Sequence, residues 1–295
     1  MKNGVVFLAG KISRAWADLS MVFVACIWGV TFVIVKNALA DIGPFLFVGL
    51  RFLLAFLLLA ALSYKDIPKI RFSTLTTGSL LGFFLCIGYS FQTLGLKYTT
   101  SSNAGFITGV SVVLVPVIYA LINKKKPGLI TSLTVIMAAM GLFFISFPSG
   151  SFNLNYGDML VLICAFGFAM HIITVDLYSH KHSAVAITAV QILFVGLVCF
   201  IIGLIVEPIP PFLSSNALSA IIITAVFATA LAFLVQNYMQ RFSTPTRFAV
   251  VLTTEPVFAA LAGYWWAGEH LGPLGLIGAG LILLAMLIST IFNRS

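Results

Sequence analysis

From its N-terminal end onward the chain alternates long apolar runs with short polar connections. The runs fall at 19–38, 44–64, 74–96, 102–122, 129–147, 157–177, 184–206, 217–239, 247–267 and 272–292. Each is close to the roughly 20 residues that a helix rising about 1.5 Å per residue needs to cross a bilayer. None keeps the alternation of a half-buried strand, and an open sheet in hydrocarbon would leave backbone groups unpaired, so the predicted elements are helices. No connection is long enough to hold a soluble catalytic domain. The predicted fold class is an all-α polytopic membrane protein with ten transmembrane helices.

Composition strengthens this reading. Of the 295 residues, 61% are apolar and 8% charged, with 24 glycines beside them. Soluble globular chains carry about 45–50% apolar and about 25% charged residues. A net charge of +8 would suggest nucleic acid as the partner of a soluble protein, but here the basic residues gather in alternate connections, as cytoplasmic loops do. With the N-terminus inside, the cytoplasmic side holds Lys2, Lys11, Arg14, Lys65, Lys69, Arg71, Lys124, Lys125, Lys126, Lys181, Arg241, Arg247 and Arg294. That is thirteen of the sixteen; Lys36 and Lys97 fall outside, and Arg51 lies within the second run. Both termini are therefore expected in the cytoplasm, and the chain in the cell membrane, in a bacterium the inner membrane. The apolar stretch Val5 to Ala9 is too short for the core of a cleaved signal, and the segment around it is expected to be a cytosolic tail. Cys26, Cys86, Cys164 and Cys199 all lie in apolar runs without a C-x-x-C pair, which reads as packing rather than zinc or a disulfide framework.

An internal repeat underlies the pattern. The stretch Gln92-Thr93-Leu94-Gly95-Leu96-Lys97-Tyr98-Thr99-Thr100 resembles Gln236-Asn237-Tyr238-Met239-Gln240-Arg241-Phe242-Ser243-Thr244, five of nine positions matching in chemistry. At similar offsets Trp28-Gly29 corresponds to Phe166-Gly167, and Arg51-Phe52-Leu53-Leu54 to Gln191-Ile192-Leu193-Phe194. Each half holds five spans, an odd number, so the second copy is expected to enter the membrane inverted. The halves are 1–147 and 148–295. Inverted repeats are a transporter architecture, because exchanging the two halves' conformations turns an outward-open site into an inward-open one.

With Trp28-Gly29, Leu50-Arg51-Phe52, Thr100-Ser101-Ser102-Asn103-Ala104-Gly105-Phe106, Glu255-Pro256 and Glu269 in this order, the chain resembles the EamA family of the drug/metabolite transporter superfamily over its whole length. The resemblance implies ten helices in two five-helix repeats and a central cavity lined mainly by spans one, three, four, six, eight and nine. It implies export of amino acids and other metabolites, or import of small solutes, and it adds Asn103 to the candidate substrate-binding residues. One departure is that the acidic residue after the proline-containing helix, Glu269 in the second half, has Lys124-Lys125-Lys126 as its counterpart in the first. The basic cluster can serve topology instead.

Among residues that can carry chemistry, Glu255 stands about nine residues into the ninth run, near the midplane. A charge there costs roughly 2.5–3.5 kcal/mol on insertion scales and tends to face a cavity, while Pro256 beside it removes a backbone hydrogen bond. Glu255 is thus a candidate proton-coupling group or partner for a substrate amine, against a structural carboxylate bonded to a neighbouring helix. His171, the one histidine within a run, titrates near neutrality as a free group and is the second coupling candidate; a hydrogen bond to a backbone carbonyl is the bland alternative. Arg51 can hold a carboxylate, but snorkelling outward or bonding helix termini is the favoured expectation. Arg247 reads as part of the cytoplasmic basic band, with an inner gate as the alternative.

Tyr89, Gln92 and Thr93 share one helical face at i, i+3 and i+4, and Gln236 with Gln240 makes a matching stripe in the repeat mate. Facing polar stripes suit a small zwitterion or polyol, while hydrogen bonding between helices explains the same residues without a ligand. Trp28 is either an aromatic wall or packing. Gly105 and Gly109 form G-x-x-x-G, read as close helix approach.

No phosphate-binding loop, dinucleotide fingerprint or zinc helix occurs. An enzyme is not expected, nor a cofactor or metal, and uphill transport would draw on an ion gradient. Three classes remain: a secondary transporter exporting an amino acid or related metabolite by alternating access, a proton-coupled importer of a small organic solute, and a membrane receptor or interaction protein without transport. The expected partners are a small-molecule substrate, the lipid bilayer and, under the coupled readings, protons; a homodimer is compatible with the architecture.

Overall fold

The computed structural model describes residues 14–64, 70–124, 126–146, 155–268 and 272–292. Among these no strand occurs. The helices are α1 (Arg14–Ala38), α2 (Pro44–Leu62), α3 (Phe72–Leu96), α4 (Ser101–Gly109), α5 (Ser111–Asn123), α6 (Leu129–Ser146), α7 (Tyr156–Tyr178), α8 (Ala184–Val206), α9 (Ser215–Ile223), α10 (Ala232–Met239), α11 (Pro245–Leu252), α12 (Thr254–Ala267) and α13 (Pro273–Phe292). A π-helical segment, Thr224–Leu231, joins α9 to α10. Taking α4–α5, α9–α10 and α11–α12 as continuous rods, eight helices are long and apolar enough to cross a membrane. Leu129–Phe144 and Pro273–Ser289 are shorter apolar helices where the fifth and tenth runs stand. The chain is an all-α polytopic membrane protein. Glu269, Lys65, Lys69, Lys125 and the terminal basic residues Lys2, Lys11 and Arg294 lie outside the described residues.

Polar side chains fix where the helices begin. Thr100 accepts the Asn103 N–H at 3.0 Å at the start of α4, and Thr244 accepts the Arg247 N–H at 3.4 Å at the start of α11. These two threonines are the last residues of the repeated nine-residue stretch, so one local signal caps two repeat-related helices. Asn155 and Asp158 form a reciprocal capping box on α7. Asp158 also accepts the Thr99 hydroxyl at 2.5 Å. Glu207, past the end of α8, accepts the N–H groups of Phe45 and Leu46 at 2.9 and 2.8 Å, neutralising the positive end of α2.

Lipid is as apolar as the protein interior, so apolar character alone cannot decide which helix face turns inward; small residues that admit a neighbouring backbone do. A Cβ on Gly167 would stand 2.7 Å from the Gly88 nitrogen, and one on Gly157 would stand 2.6 Å from the Gly95 carbonyl oxygen, which locks α7 against α3 at two levels. Gly105 and Gly109 bring α4 against Ala259, Pro256 and Leu142, so the G-x-x-x-G pair packs helices. Large apolar side chains such as Leu62, Phe72 and Leu129 point outward, 80–86% exposed, as a lipid-facing surface requires. All four cysteines are free, with Cys86 and Cys199 sulfurs 3.7 Å apart in the α3–α8 contact.

Candidate functional site

Two of the long rods are interrupted near their middles. The α4–α5 rod breaks at Val110, ten residues after the capping Thr100, and the α11–α12 rod breaks at Thr253, nine after the capping Thr244. At the second break Pro256 cannot donate to the Leu252 carbonyl, and the Thr253 hydroxyl turns back to the Val250 carbonyl at 2.5 Å. Both breaks abut one cavity of about 60 Å³, lined at these points by Thr108, Gly109, Ser111, Leu252 and Glu255. A water needs about 10–15 Å³ on this measure, so the cavity has room for about four to six waters.

The charged groups of the cavity come from α2 and α12. Arg51 is 3% exposed; its Nε donates to Thr229 Oγ1 at 2.7 Å and its Nη2 to the Ala228 carbonyl at 3.1 Å. Its guanidinium lies over the Tyr89 ring, 4.9 Å from the centroid. Arg51 therefore points inward, against the snorkelling expectation, because the π-helical turn loosens the backbone ladder at Thr224–Leu231 and offers acceptors there. Trp28 uses the same carbonyl, its indole N–H donating to Ala228 at 2.8 Å. Glu255 lines the cavity from just beyond the Thr253 break. Among the described residues its carboxylate has no hydrogen-bond or ion-pair partner, and Arg51 pairs with no carboxylate.

The uncharged polar groups complete the wall. Gln92 donates to Thr108 Oγ1 at 3.1 Å, and Gln236 lines the cavity with its amide oxygen buried and unpartnered. His171 is buried with Nε2 2.9 Å from Gln191 Oε1, so the imidazole donates there. Phe233 is the aromatic hub, its ring centroid 5.5 Å from Trp28, 5.9 Å from Tyr89 and 6.0 Å from His171.

Six of the seven substrate-binding candidates thus line one cavity: Trp28, Tyr89, Gln92, His171, Gln236 and Glu255. Asn103 does not; it sits in the first turn of α4, where its backbone N–H completes the Thr100 cap. Gln240 follows Gln236 by one α-helical turn, its backbone N–H on the Gln236 carbonyl, but it does not line the cavity: its side-chain amide donates to the Ile172 carbonyl at 2.6 Å.

Residues 15–147 and 155–291 match the sequence profile of the EamA-like transporter family. The chain belongs to that family. It is 35% identical over 286 residues to an uncharacterized transporter of Archaeoglobus fulgidus, covering 95% of this chain and 87% of the relative. It is 26% identical over 274 residues to the uncharacterized inner membrane transporter YedA of Escherichia coli, covering 90% of this chain and 87% of the relative. A chloroplastic WAT1-related protein of Arabidopsis thaliana is 26% identical over 280 residues, covering 88% of this chain and 66% of the relative. A solved crystal structure superposes with a TM-score of 0.78 at 16% identity, covering 96% of this chain and 99% of the other, and shows the fold alone.

This EamA-like chain is thus a multi-pass protein of the cell membrane, in a family whose members are transporters of small solutes. Several residues that line or support its cavity, and one buried ion pair, escaped the sequence reading. Phe233 was one phenylalanine among 27, and Thr229 and Ala228 matter only because a π-helical segment forms, for which the stretch Thr224–Leu231 carries no glycine or proline signal. Arg247, read as a member of the basic band, forms a buried ion pair with Asp18 of α1.

Proposed function

We propose that this protein is a secondary transporter that exports an amino acid or related small metabolite by alternating access through the cavity beside the two helix breaks. The observation that carries the proposal is the pair of interruptions at repeat-related positions, each abutting the same cavity. Discontinuous helices with polar groups between repeats are how secondary transporters expose backbone and charge to a substrate at mid-membrane depth. Supporting the two inverted five-helix repeats are the matched threonine caps, the matched breaks and the repeated sequence between them. A cavity for a few heavy atoms suits the smaller amino acids.

Counterflow in proteoliposomes tests the proposal: full-length protein preloaded with an unlabelled solute from an amino acid and metabolite panel accumulates the labelled form of that solute transiently. Absence of counterflow for every member of the panel favours the receptor reading. Proton-coupled import would act through Glu255 or His171; under it Glu255→Gln loses pH-driven accumulation while solute exchange persists.

The proposed orientation has ten spans and both termini in the cytoplasm. In a cysteine-free background, an impermeant maleimide is expected to label Lys97→Cys and Pro211→Cys from outside and to leave Lys126→Cys and Lys181→Cys unlabelled. External labelling of Lys126→Cys would overturn both the orientation and the inversion.

A further inference from the structure

We infer that the cavity is built for a zwitterion held by two opposed side chains, its carboxylate on Arg51 and its ammonium on Glu255, with Gln236 assisting the ammonium. The inference rests on the transport reading above and names the chemistry of the same site. It starts from a charge count. The cavity holds one buried guanidinium and one carboxylate, and among the described residues neither is paired with an opposite charge. An unpaired charge inside a membrane protein is expensive. A zwitterion supplies one counter-charge to each; an anion would leave Glu255 uncompensated and a cation would leave Arg51 so.

The donors and acceptors divide the same way. Arg51 spends Nε on Thr229 and Nη2 on the Ala228 carbonyl, and its side chain also hydrogen-bonds that of Tyr89, which still leaves part of its five N–H donors. Those two bonds and the Tyr89 face fix the plane of the guanidinium, leaving donor capacity for a planar carboxylate. Glu255 offers only acceptors. The Gln236 amide oxygen is a buried acceptor without a donor, and an ammonium with three N–H groups satisfies both. Arg51 reaches the cavity from α2, while Glu255 reaches it from α12. The substrate therefore bridges the two sequence halves, so its release from either charge is coupled to their relative movement.

The test uses the full chain in proteoliposomes and four probes: alanine, ethylamine (alanine without its carboxylate), propionate (alanine without its amine) and neutral propanol, with the corresponding leucine series as a second set. Each probe competes against counterflow of the most actively exchanged amino acid. The zwitterion is expected to compete at least about tenfold better than the singly charged and neutral probes, as loss of one charge-assisted contact implies. Arg51→Gln is expected to move preference toward the amine, and Glu255→Gln toward the carboxylate, each by at least about tenfold in the ratio of the two. A residue that merely packs would not give opposite charge selectivities. Where a variant fails to fold, the wild-type probe series decides. Counterflow in which amine or carboxylate competes as well as the zwitterion overturns the charge assignment and leaves transport standing; no flux for any solute overturns the transport reading and this inference with it.

Discussion

Asp18→Asn is expected to destabilise the protein by about 3–5 kcal/mol, the cost of removing the counter-charge from a buried ion pair. Arg247 donates to Asp18 through both Nε and Nη2, the Nε contact being 3.3 Å, and the side chains are only 6% and 11% exposed. The pair ties the beginning of α1 to the beginning of α11. An amide at position 18 keeps the shape and removes the charge, so the guanidinium stays buried with weaker acceptance. Arg247→Met alone strands the carboxylate and is expected to cost as much. The double variant Asp18→Leu with Arg247→Met removes both charges and is expected to recover most of the loss, since well-packed apolar groups often match a buried pair. Denaturant unfolding in detergent of the parent and these three variants measures this. A loss below about 1 kcal/mol for Asp18→Asn would place the pair among solvated surface bridges.

The apolar runs were legible because bilayer thickness and backbone hydrogen bonding leave a chain of this composition no other structure. The starts of α4 and α11 were legible too, as the threonines that end the repeated stretch. The helix breaks were only half legible. Pro256 marks the second, but at Val110 the nearest proline is Pro116, six residues on, and the backbone stays in the right-handed region through a single tightened turn. The inward course of Arg51 was hidden for the same reason as the π-helical segment: its acceptors, Thr229 and the Ala228 carbonyl, come from a backbone irregularity without a residue signature.

Charge pairing was the least legible layer. Asp18 stands at the margin of the first run, and Arg247 at the margin of the ninth, 229 residues away; each alone looks like an interfacial residue. Only the approach of α1 to α11 turns them into one buried pair. Gln236 and Gln240 failed in the opposite sense. Their spacing promised one stripe on the cavity, and the helix keeps that spacing, but the Gln240 side chain is taken up by the Ile172 carbonyl of α7.

Gly29→Ala is expected to cost about 1–3 kcal/mol and to weaken solute exchange together with it. Alanine in a helix interior normally gains about 0.5–1 kcal/mol over glycine, so the prediction requires the contact to outweigh propensity. The geometry says that it does. A Cβ on Gly29 would lie 2.6 Å from the Glu255 carbonyl oxygen, 2.6 Å from Phe258 Cβ and 2.8 Å from the Ala259 nitrogen. None of these is the mobile end of a side chain, so α1 and α12 must separate, with the overpacking cost of a filled interior. Because Glu255 belongs to the contact and lines the cavity, the separation moves the carboxylate away from its place. Gly280→Ala is the control: nothing lies within 4 Å of its Cβ position, and it is expected to leave exchange unchanged and stability equal or higher. Melting temperature and counterflow on both variants check the pair. If Gly29→Ala melts and exchanges like the parent, α1 and α12 are not held at contact distance, and the position of Glu255 is not set by this glycine.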